Sequence, residues 1–449
     1  MYDLAIIGGG PGGYVAAERA GAAGLKVVLF EKNELGGVCL NEGCIPTKAL
    51  LYCAKMYDHA LHGKAFGVSA EGASFDFRKM MERKTRVVRR LVGGVKAKMK
   101  GALVEVVKGE AMIEGRGEEG FEISCNGQIY NAAALLICTG ASAAVPPIQG
   151  LRESDAIVTN REILSLEERP ERLVVIGGGV IGMEFASFFN TLGTQVTVVE
   201  MLPKILGNLD SEISSALQAI YAKKGVTFKL GCKVTAIEGN SVVYETAEGV
   251  CERAEGDKIL LSVGRRANIK GFGLENIGVQ CERGIKVDDH MRASVPGVYA
   301  AGDVTGFSLL AHTASREGEV AVANILGGDE KMSYAAVPGV VYTTPEVAGV
   351  GLTEDQAPDA GVLKLPMAYA GRYVAENEDI TGLCKILYDK ADGRVLGVHM
   401  LGTPCSEIIQ SGCIAIETGM TVEGLRKIIF PHPSVSEIIK ETAWTEAAS

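Results

Sequence analysis

No stretch of this chain approaches the roughly 20 uninterrupted apolar residues of a membrane span, so no membrane partner is expected. Its six histidines are dispersed and none of its 11 cysteines falls at zinc-site spacing, so no metal is expected either. Positive charge is in deficit. A net charge of −10 leaves no basic field to neutralise phosphates, which argues against a general nucleic-acid binder. The most basic stretch, Arg78 to Lys100, spaces its charges among Met, Val and Leu. It reads as a solvated amphipathic helix, with a binding patch as the alternative. A basic leader and a cleavable apolar region are missing as well, and the expected compartment is cytoplasmic. Closely spaced cysteines are scarce: apart from one pair they are scattered, mostly in apolar segments such as Leu135-Leu136-Ile137-Cys138, and read as small core residues.

What the chain has in plenty is length and glycine. At 449 residues it is too long for one core, and three or four domains or subdomains are expected. A hydrophobic content of 47% is ordinary, whereas 57 glycines suit several tight nucleotide-binding turns. The first is Gly8-Gly9-Gly10-Pro11-Gly12-Gly13, preceded by the apolar run Leu4-Ala5-Ile6-Ile7 and followed by the alanine-rich segment Tyr14 to Ala23. That order predicts strand, tight turn and helix, with Gly8 making the turn, Gly10 admitting a pyrophosphate and Gly13 letting helix and strand pack. A second strand, Lys26 to Phe30, ends in Glu31, whose carboxylate can bind a ribose hydroxyl. Leu173 to Gly182 repeats the pattern: Gly8 with Gly177, Gly10 with Gly179, Gly13 with Gly182 and Glu31 with Glu200 share one offset of 169 residues. The chain therefore contains two dinucleotide-binding units.

Just after the first fingerprint comes Cys39-Leu40-Asn41-Glu42-Gly43-Cys44. Closing so short a loop stabilises a fold by only roughly 2 kcal/mol, against about 5 for a hundred-residue loop, so a bridge here suits opening and closing better than stapling. Pro46 removes a backbone donor and predicts local distortion around the pair. Lys48 lies four residues after Cys44, so on a helix it shares that cysteine's face and can stabilise a thiolate or an anionic reduced cofactor. Two buried thiols beside a surface lysine are the alternative.

Between the fingerprints, Ala102 to Val107, Phe121 to Ser124 and Ala132 to Ile137 read as strands, with turns at Gly109 and Gly115-Arg116-Gly117. Thr139-Gly140-Ala141-Ser142 is small enough to let backbone approach a cofactor, and Pro146-Pro147 with Gly150 marks a boundary. Beyond the second unit, Lys258 to Val263 is a buried strand with Gly264-Arg265-Arg266 as its exit, and Gly297 to Asp303 a short strand ending in an acid. From Tyr334 the glycine motifs stop, and strands at Lys385 to Tyr388 and Arg394 to Met400 precede a helix at Ser406 to Thr418.

The order of Gly8-x-Gly10-x-x-Gly13, Gly36 to Lys48, the second fingerprint, Ala301-Gly302-Asp303 and His432-Pro433-Ser434-Val435-Ser436-Glu437 resembles the flavin disulfide reductases over essentially the whole chain. The cysteine segment is the most specific part, and within the family the residues look most like members that oxidise dihydrolipoamide with NAD. The resemblance implies an α/β fold with two Rossmann-like dinucleotide-binding domains plus an α+β C-terminal dimerisation domain. Its parts would be FAD-binding 1–147 and 268–333, NAD-binding 148–267 and interface 334–449. It places FAD on the first unit, with Glu31 on the adenosine ribose, Lys48 beside the flavin, Asp303 on the ribityl chain, and Gly109, Thr139, Gly140, Leu309, Ala311 and His312 around the cofactor. Read alone, Asp303 also fits a strand-end turn and His312 a surface residue.

By the same resemblance NAD belongs to the second unit, on Gly177, Gly179, Gly182, Glu200 and Gly264. Glu200 can accept bonds from both ribose hydroxyls and would repel a 2'-phosphate, and Met201-Leu202-Pro203-Lys204 after it lacks the paired arginines of NADPH-specific relatives. Glu184 carries over as the residue that reaches across the flavin to Lys48; by itself it reads as a helix-N-terminal carboxylate. His432 carries over as the base and Glu437 as the carboxylate that fixes its tautomer, where a histidine before proline would otherwise read as structural. Two positions depart from the family pattern: Phe430 stands where many relatives carry another histidine, and Glu42 replaces a commonly apolar residue.

The expected reaction is opening of a Cys39-Cys44 disulfide by dihydrolipoamide, with electrons passing through FAD to NAD. Expected partners are a second copy of the chain, making a homodimer, and a lipoyl-bearing protein of a 2-oxoacid dehydrogenase complex or the glycine cleavage system. No lipoyl domain precedes Met1, so the substrate arm is expected from that partner. Mercuric reductases and large thioredoxin reductases need a second redox pair at the C-terminus, whereas Trp444 to Ser449 holds no cysteine. A glutathione-reductase-like enzyme and a non-catalytic flavin-bound redox sensor or scaffold remain as alternatives.

Overall fold

The computed structural model describes residues 1–446; the last three residues of the segment expected at 334–449 lie outside the described residues. The chain forms two compact units. The first gathers Met1–Ala49, Met81–Ala144 and Gly264–Ser333, the second Leu50–Met80, Val145–Val263 and everything from Tyr334 onward.

The chain opens with β1 (Tyr2–Ile7), α1 (Pro11–Ala22), β2 (Val27–Glu31), α2 (Gly37–Glu42), α3 (Cys44–His62) and α4 (Phe77–Gly101). It continues with β3 (Glu105–Lys108), β4 (Met112–Gly117), β5 (Gly120–Cys125), β6 (Gln128–Ile137) and β7 (Ala141–Ala143). The main sheet of the first unit runs β3-β2-β1-β6-β5-β4, with Val298–Ala300 paired in parallel to β6. Strands β3, β2, β1 and β6 are parallel, and β6-β5-β4 an antiparallel meander. The continuous apolar runs Leu4–Ile7, Val27–Phe30 and Leu135–Ile137 are buried because parallel strands are covered on both faces. Helix α1 covers one face and packs against the helix Ala311–Ile325 so tightly that a Cβ on Gly318 would come within 2.6 Å of the Gly12 carbonyl.

Two expectations need correction here. The strand expected from Ala102 starts at Glu105, because Leu103 takes a left-handed conformation (φ 56°) while Ala102 and Val104 donate to Lys98 and Met99 and finish the preceding helix. Gly115-Arg116-Gly117 is the end of β4 rather than a turn. A register shift between Ile113 and Gly115 absorbs the extra residue, and the reversal falls at Glu118-Glu119 between the paired Gly117 and Gly120. The basic stretch is helical as read, α4 extending over all of it.

The second unit holds a parallel sheet in the order Thr227–Leu230, Gln195–Glu200, Arg172–Ile176, Lys258–Leu261 and Ile157–Val158. A three-stranded antiparallel sheet, Lys233–Glu238, Ser241–Glu245 and Cys251–Glu255, is a feature the sequence reading passed over. A second five-stranded sheet, all antiparallel, runs Gly339–Val341, Val347–Gly351, Val395–Leu401, Leu383–Tyr388 and Gly361–Pro366. Its helices Cys405–Glu417 and Glu437–Trp444 close a core around Tyr373, Ile386, Met400, Ile409 and Ile438. The fold is mixed α/β, with two doubly wound nucleotide-type sheets and an α+β C-terminal part. Among the described residues no helix is long and apolar enough to cross a membrane.

Candidate active site

The 169-residue repeat reappears in the backbone of both turns. Gly8 and Gly177 both need positive φ, 107° and 103°, and their amides donate to Phe30 and Val199 at 2.8 and 2.9 Å. A Cβ on Gly13 would lie 1.8 Å from the Gly8 carbonyl oxygen, and one on Gly182 2.1 Å from that of Gly177, so neither helix could start with a larger residue there. The strand-end acids point back at the turns. Glu31 accepts from Gly9 and Asn33 amides at 2.8 and 2.7 Å; Glu200 accepts from Gly178 and Leu202 at 2.6 and 2.7 Å. Both helices begin without a side-chain cap, at Gly10 and Gly179. A Cβ would meet only Gly37 at 3.8 Å beside Gly10 and nothing within 4 Å beside Gly179. Open space facing uncapped amides at a helix N-terminus, with a carboxylate at the next strand end, fits a dinucleotide in each unit.

The cysteine pair is attached directly to the first turn. Gly36 donates to the Gly9 carbonyl at 2.8 Å, and a Cβ on Gly37 would be 2.6 Å from the Gly10 Cα, so α2 can start only where backbone packs on backbone. The Asn41 amide holds this start through Leu35 and Gly37 carbonyls at 3.1 and 3.0 Å. Cys39 lies in α2, and Cys44 opens α3 after a break at Gly43 (φ −148°, ψ −105°). The distortion expected around the pair falls at Gly43 and not at Pro46, which is the third residue of α3, where helix-start amides lack intrahelical partners anyway. The first i to i−4 bond runs from Thr47 to Gly43 at 3.1 Å. The Cys39 thiol hydrogen-bonds to Cys44. That bond first, then burial and the neighbouring sulfur's charge, pushes its pKa up, while the Lys48 ammonium pulls the other way. Burial first, then the charges of Cys39, Glu18 and Cys44, raise the Tyr14 hydroxyl. Glu42, the departure between the cysteines, ends α2 half-buried.

The residues that the resemblance named for the FAD site all fall in the first unit. Gly109 donates to the Glu31 carbonyl at 3.0 Å, and a Cβ there would collide with Cys125 Sγ and Asn126 at 2.6 Å. Asp303 begins a 3-10 turn; burial raises its carboxyl, opposed by Arg265, whose Nε lies 3.7 Å away. Leu309 is exposed, and Ala311 and His312 start the helix that packs on α1. Two residues were overlooked. Asn268 brackets the turn Thr139 to Ser142. Glu317, fully buried, accepts the Gly302 amide at 2.6 Å next to Asp303. A charge on the small-residue stripe Ala314, Gly318, Ala321 was the available signal for Glu317; Asn268 offered none beyond lying just after Gly264-Arg265-Arg266.

In the second unit Glu184 is 3% exposed on the helix Val180–Thr191 and accepts the Tyr342 amide at 3.1 Å, so it is no ordinary surface carboxylate. His432 Nδ1 meets Glu437 Oε1 at 2.8 Å, and the other Glu437 oxygen accepts the Ser434 amide at 2.9 Å. The Ser434 bond first and then His432 hold the Glu437 carboxyl below its usual range. His432 itself is exposed, its side chain 79% accessible, and Phe430 packs on the C-terminal core. Because a carboxylate can only accept, Nδ1 carries the hydrogen and Nε2 is the nitrogen able to take a proton. Gly264, expected with the second fingerprint, opens the last segment of the first unit, its carbonyl bonded to the Ala144 amide at 2.9 Å.

Residues 2–318 match the family model described as pyridine nucleotide-disulphide oxidoreductase, and residues 337–443 match that family's dimerisation domain, which supports a homodimer. The chain is 40% identical to the dihydrolipoyl dehydrogenase of Geobacillus stearothermophilus, over 98% of this chain and 95% of that one. It is 41% identical to the dihydrolipoyl dehydrogenase of Thermus scotoductus, over 98% and 96%. Among solved structures it superposes on LpdA from Mycobacterium tuberculosis with a TM-score of 0.89 at 26% identity, covering 98% of this chain and 99% of the other. It superposes on the HOCl-induced flavoprotein disulfide reductase RclA from Escherichia coli with 0.87 at 29%, covering 99% and 100%. By sequence, fold and the arrangement of its two nucleotide turns, the chain belongs to the pyridine nucleotide-disulphide oxidoreductase family.

Proposed function

We propose that the chain oxidises protein-bound dihydrolipoamide to lipoamide, holding FAD in its first unit and NAD in its second and working as a homodimer in the cytoplasm. The observation that carries this reading is the hydrogen-bonded Cys39 and Cys44 pair, seated on the first nucleotide turn under the charge of Lys48. When bound, flavin and nicotinamide take the electron pair onward as hydride.

The protein residues would do the rest. His432 Nε2, its ring fixed by Glu437, takes the proton from one substrate thiol. The resulting thiolate attacks Cys39 Sγ in the oxidised pair; a substrate–Cys39 disulfide forms, the Cys39–Cys44 bond breaks, and Cys44 leaves as a thiolate. The second substrate thiol, losing its proton, displaces Cys39 and closes lipoamide. Cys39 takes up the proton that the second thiol gives up, leaving Cys44 as the thiolate. Glu31 would hold the FAD ribose, with Gly109, Thr139, Gly140, Asp303, Leu309, Ala311 and His312 around the cofactor. Glu184 would orient Lys48. Gly177, Gly179, Gly182, Glu200 and Gly264 would serve NAD.

A glutathione-reductase-like activity is disfavoured by Glu200, whose carboxylate stands where a 2'-phosphate would need positive charge, and by the exposed Met201 and Leu202 beyond it. The test is steady-state turnover. NAD-dependent oxidation of dihydrolipoamide, lost in Cys44→Ser, is the expected result; reduction of glutathione disulfide by NADPH without that activity would overturn the reading.

A further inference from the structure

We infer that Asn268 is a positioning residue for the flavin cofactor, aiming the Gly140 and Ala141 amides where the Thr139-Gly140 turn enters β7; this rests on the reading of the first unit as the FAD site. The chain returns to the first unit at Gly264, and Arg265–Ala267 pairs antiparallel with β7, Ala267 opposite Ala141. Asn268, the next residue, encloses the turn that precedes β7 with four hydrogen bonds across 129 or fewer positions of sequence. Its Nδ2 donates to the Thr139 carbonyl at 2.9 Å, and its Oδ1 accepts from Ser142 Oγ at 2.9 Å. Its backbone amide donates to the Gly140 carbonyl at 2.9 Å, and its carbonyl accepts from Thr139 Oγ1 at 2.7 Å.

These bonds define a direction as well as a contact. In a trans peptide the N–H lies opposite the C=O of the preceding residue. With the Thr139 and Gly140 carbonyls both drawn toward Asn268, the Gly140 and Ala141 amides are turned away from it. Gly140 takes φ 67°, and a Cβ there would meet nothing within 4 Å, so the turn has an open side. Two amides directed by one side chain and one backbone, beside open space at the end of β6, suit the oxygens of a bound flavin nucleotide. The amide group is required in full. Thr139 presents a carbonyl, so its partner must donate, while Ser142 donates, so its partner must accept. An aspartate of the same shape satisfies the second and sets a carboxylate oxygen against the first.

The experiment measures FAD binding by the apoprotein, following flavin fluorescence quenching, for the wild type, Asn268→Ala, Asn268→Asp and Asn268→Ala with Ser142→Ala. NADH binding to each apoprotein checks the second unit and the fold. The wild type is expected to bind FAD; if it does not, the cofactor reading itself fails and not merely the role of Asn268. Given wild-type binding, Asn268→Ala should raise the FAD Kd at least about tenfold, the size of two lost neutral hydrogen bonds, and Asn268→Asp, which keeps the Ser142 bond, at least about threefold, the size of one, with NADH binding unchanged. Adding Ser142→Ala to Asn268→Ala should bring no further loss, because its partner is already gone. Should the Asn268 variants fail to fold, Ser142→Ala alone should raise the Kd about threefold, the size of one such bond. Asn268→Asp or, in its place, Ser142→Ala binding FAD as the wild type does would overturn the inference, as would a fully additive loss in the double variant.

Discussion

At the scale of single residues the chemistry divides between two sulfurs that the chain treats differently. With Cys39 proposed as the sulfur that meets substrate, the thiolate against the flavin after two-electron reduction under anaerobic conditions should be Cys44. Cys44→Ser should abolish the long-wavelength charge-transfer band and Cys39→Ser should keep it; the reverse pattern would exchange the two roles. His432→Gln should slow dihydrolipoamide oxidation at least about a hundredfold, as expected for a lost general base, while reduction of the flavin by NADH stays within about twofold of the wild type. Glu437→Gln should give a smaller loss of the same kind, since Glu437 acts through the His432 ring at 2.8 Å. In the proposed reading Glu200 sets the dinucleotide. Its oxygens take the Gly178 and Leu202 amides, which fixes the carboxylate, and if it faces the ribose as proposed kcat/KM should favour NAD over NADP by at least about a hundredfold, or roughly 2.7 kcal/mol. Equal use of the two would remove that role.

Among elements, the joint that matters within the second unit is a buried ion cluster. Asp210 caps the helix Ser211–Lys223 through the Glu212 and Ile213 amides, and both its oxygens accept from Lys385 on the strand Leu383–Tyr388, at 3.1 and 2.9 Å. Each side chain is 1% exposed. Burial alone would raise Asp210, but the Lys385 bonds outweigh it and hold the carboxyl below its usual range. Burial likewise opposes the Lys385 charge, and bonds to Glu354, Asp210 and Glu212 raise its pKa instead. Lys385→Met should therefore cost about 3–5 kcal/mol at pH 7 by urea denaturation, because it strands a buried carboxylate. The sign with pH follows. A depressed carboxyl stabilises above its ordinary pKa of 3.8 and loses that contribution as pH falls through the folded value, so the gap between variant and wild type should close in acid. A gap unchanged below pH 3 would mean packing, not charge, holds the joint. The glycine turns and parallel strands were legible in the sequence because each is local and its apolar run is continuous. Cys251–Glu255 was not, since Cys-Glu-Arg-Ala-Glu carries no clear apolar alternation and is paired only through its neighbour. Pro46 misled because a missing amide matters in a helix interior and not at its third residue. Asn268 lay beyond reading because its partners stand 129 residues away, and no spacing rule reaches that far.

For the whole molecule, the family's dimerisation domain over residues 337–443 and the exposed His432 at its C-terminal end suggest a site built from two chains. In the proposed homodimer, Cys39 and Cys44 of one chain work with His432 of the partner subunit, the reciprocal contact a two-fold interface demands. A monomer would be inactive even when fully loaded with cofactor. The direct test is complementation. Cys44→Ser and His432→Gln chains, each inactive alone, are refolded together in equal amounts, and NAD-dependent dihydrolipoamide oxidation is measured. A mixed dimer places both lesions in one site and leaves the other intact; random pairing makes about half the dimers mixed, so about one quarter of wild-type activity should return. No recovery of activity from a preparation shown to contain mixed dimers would contradict the shared site, because it would mean that His432 serves the cysteines of its own chain.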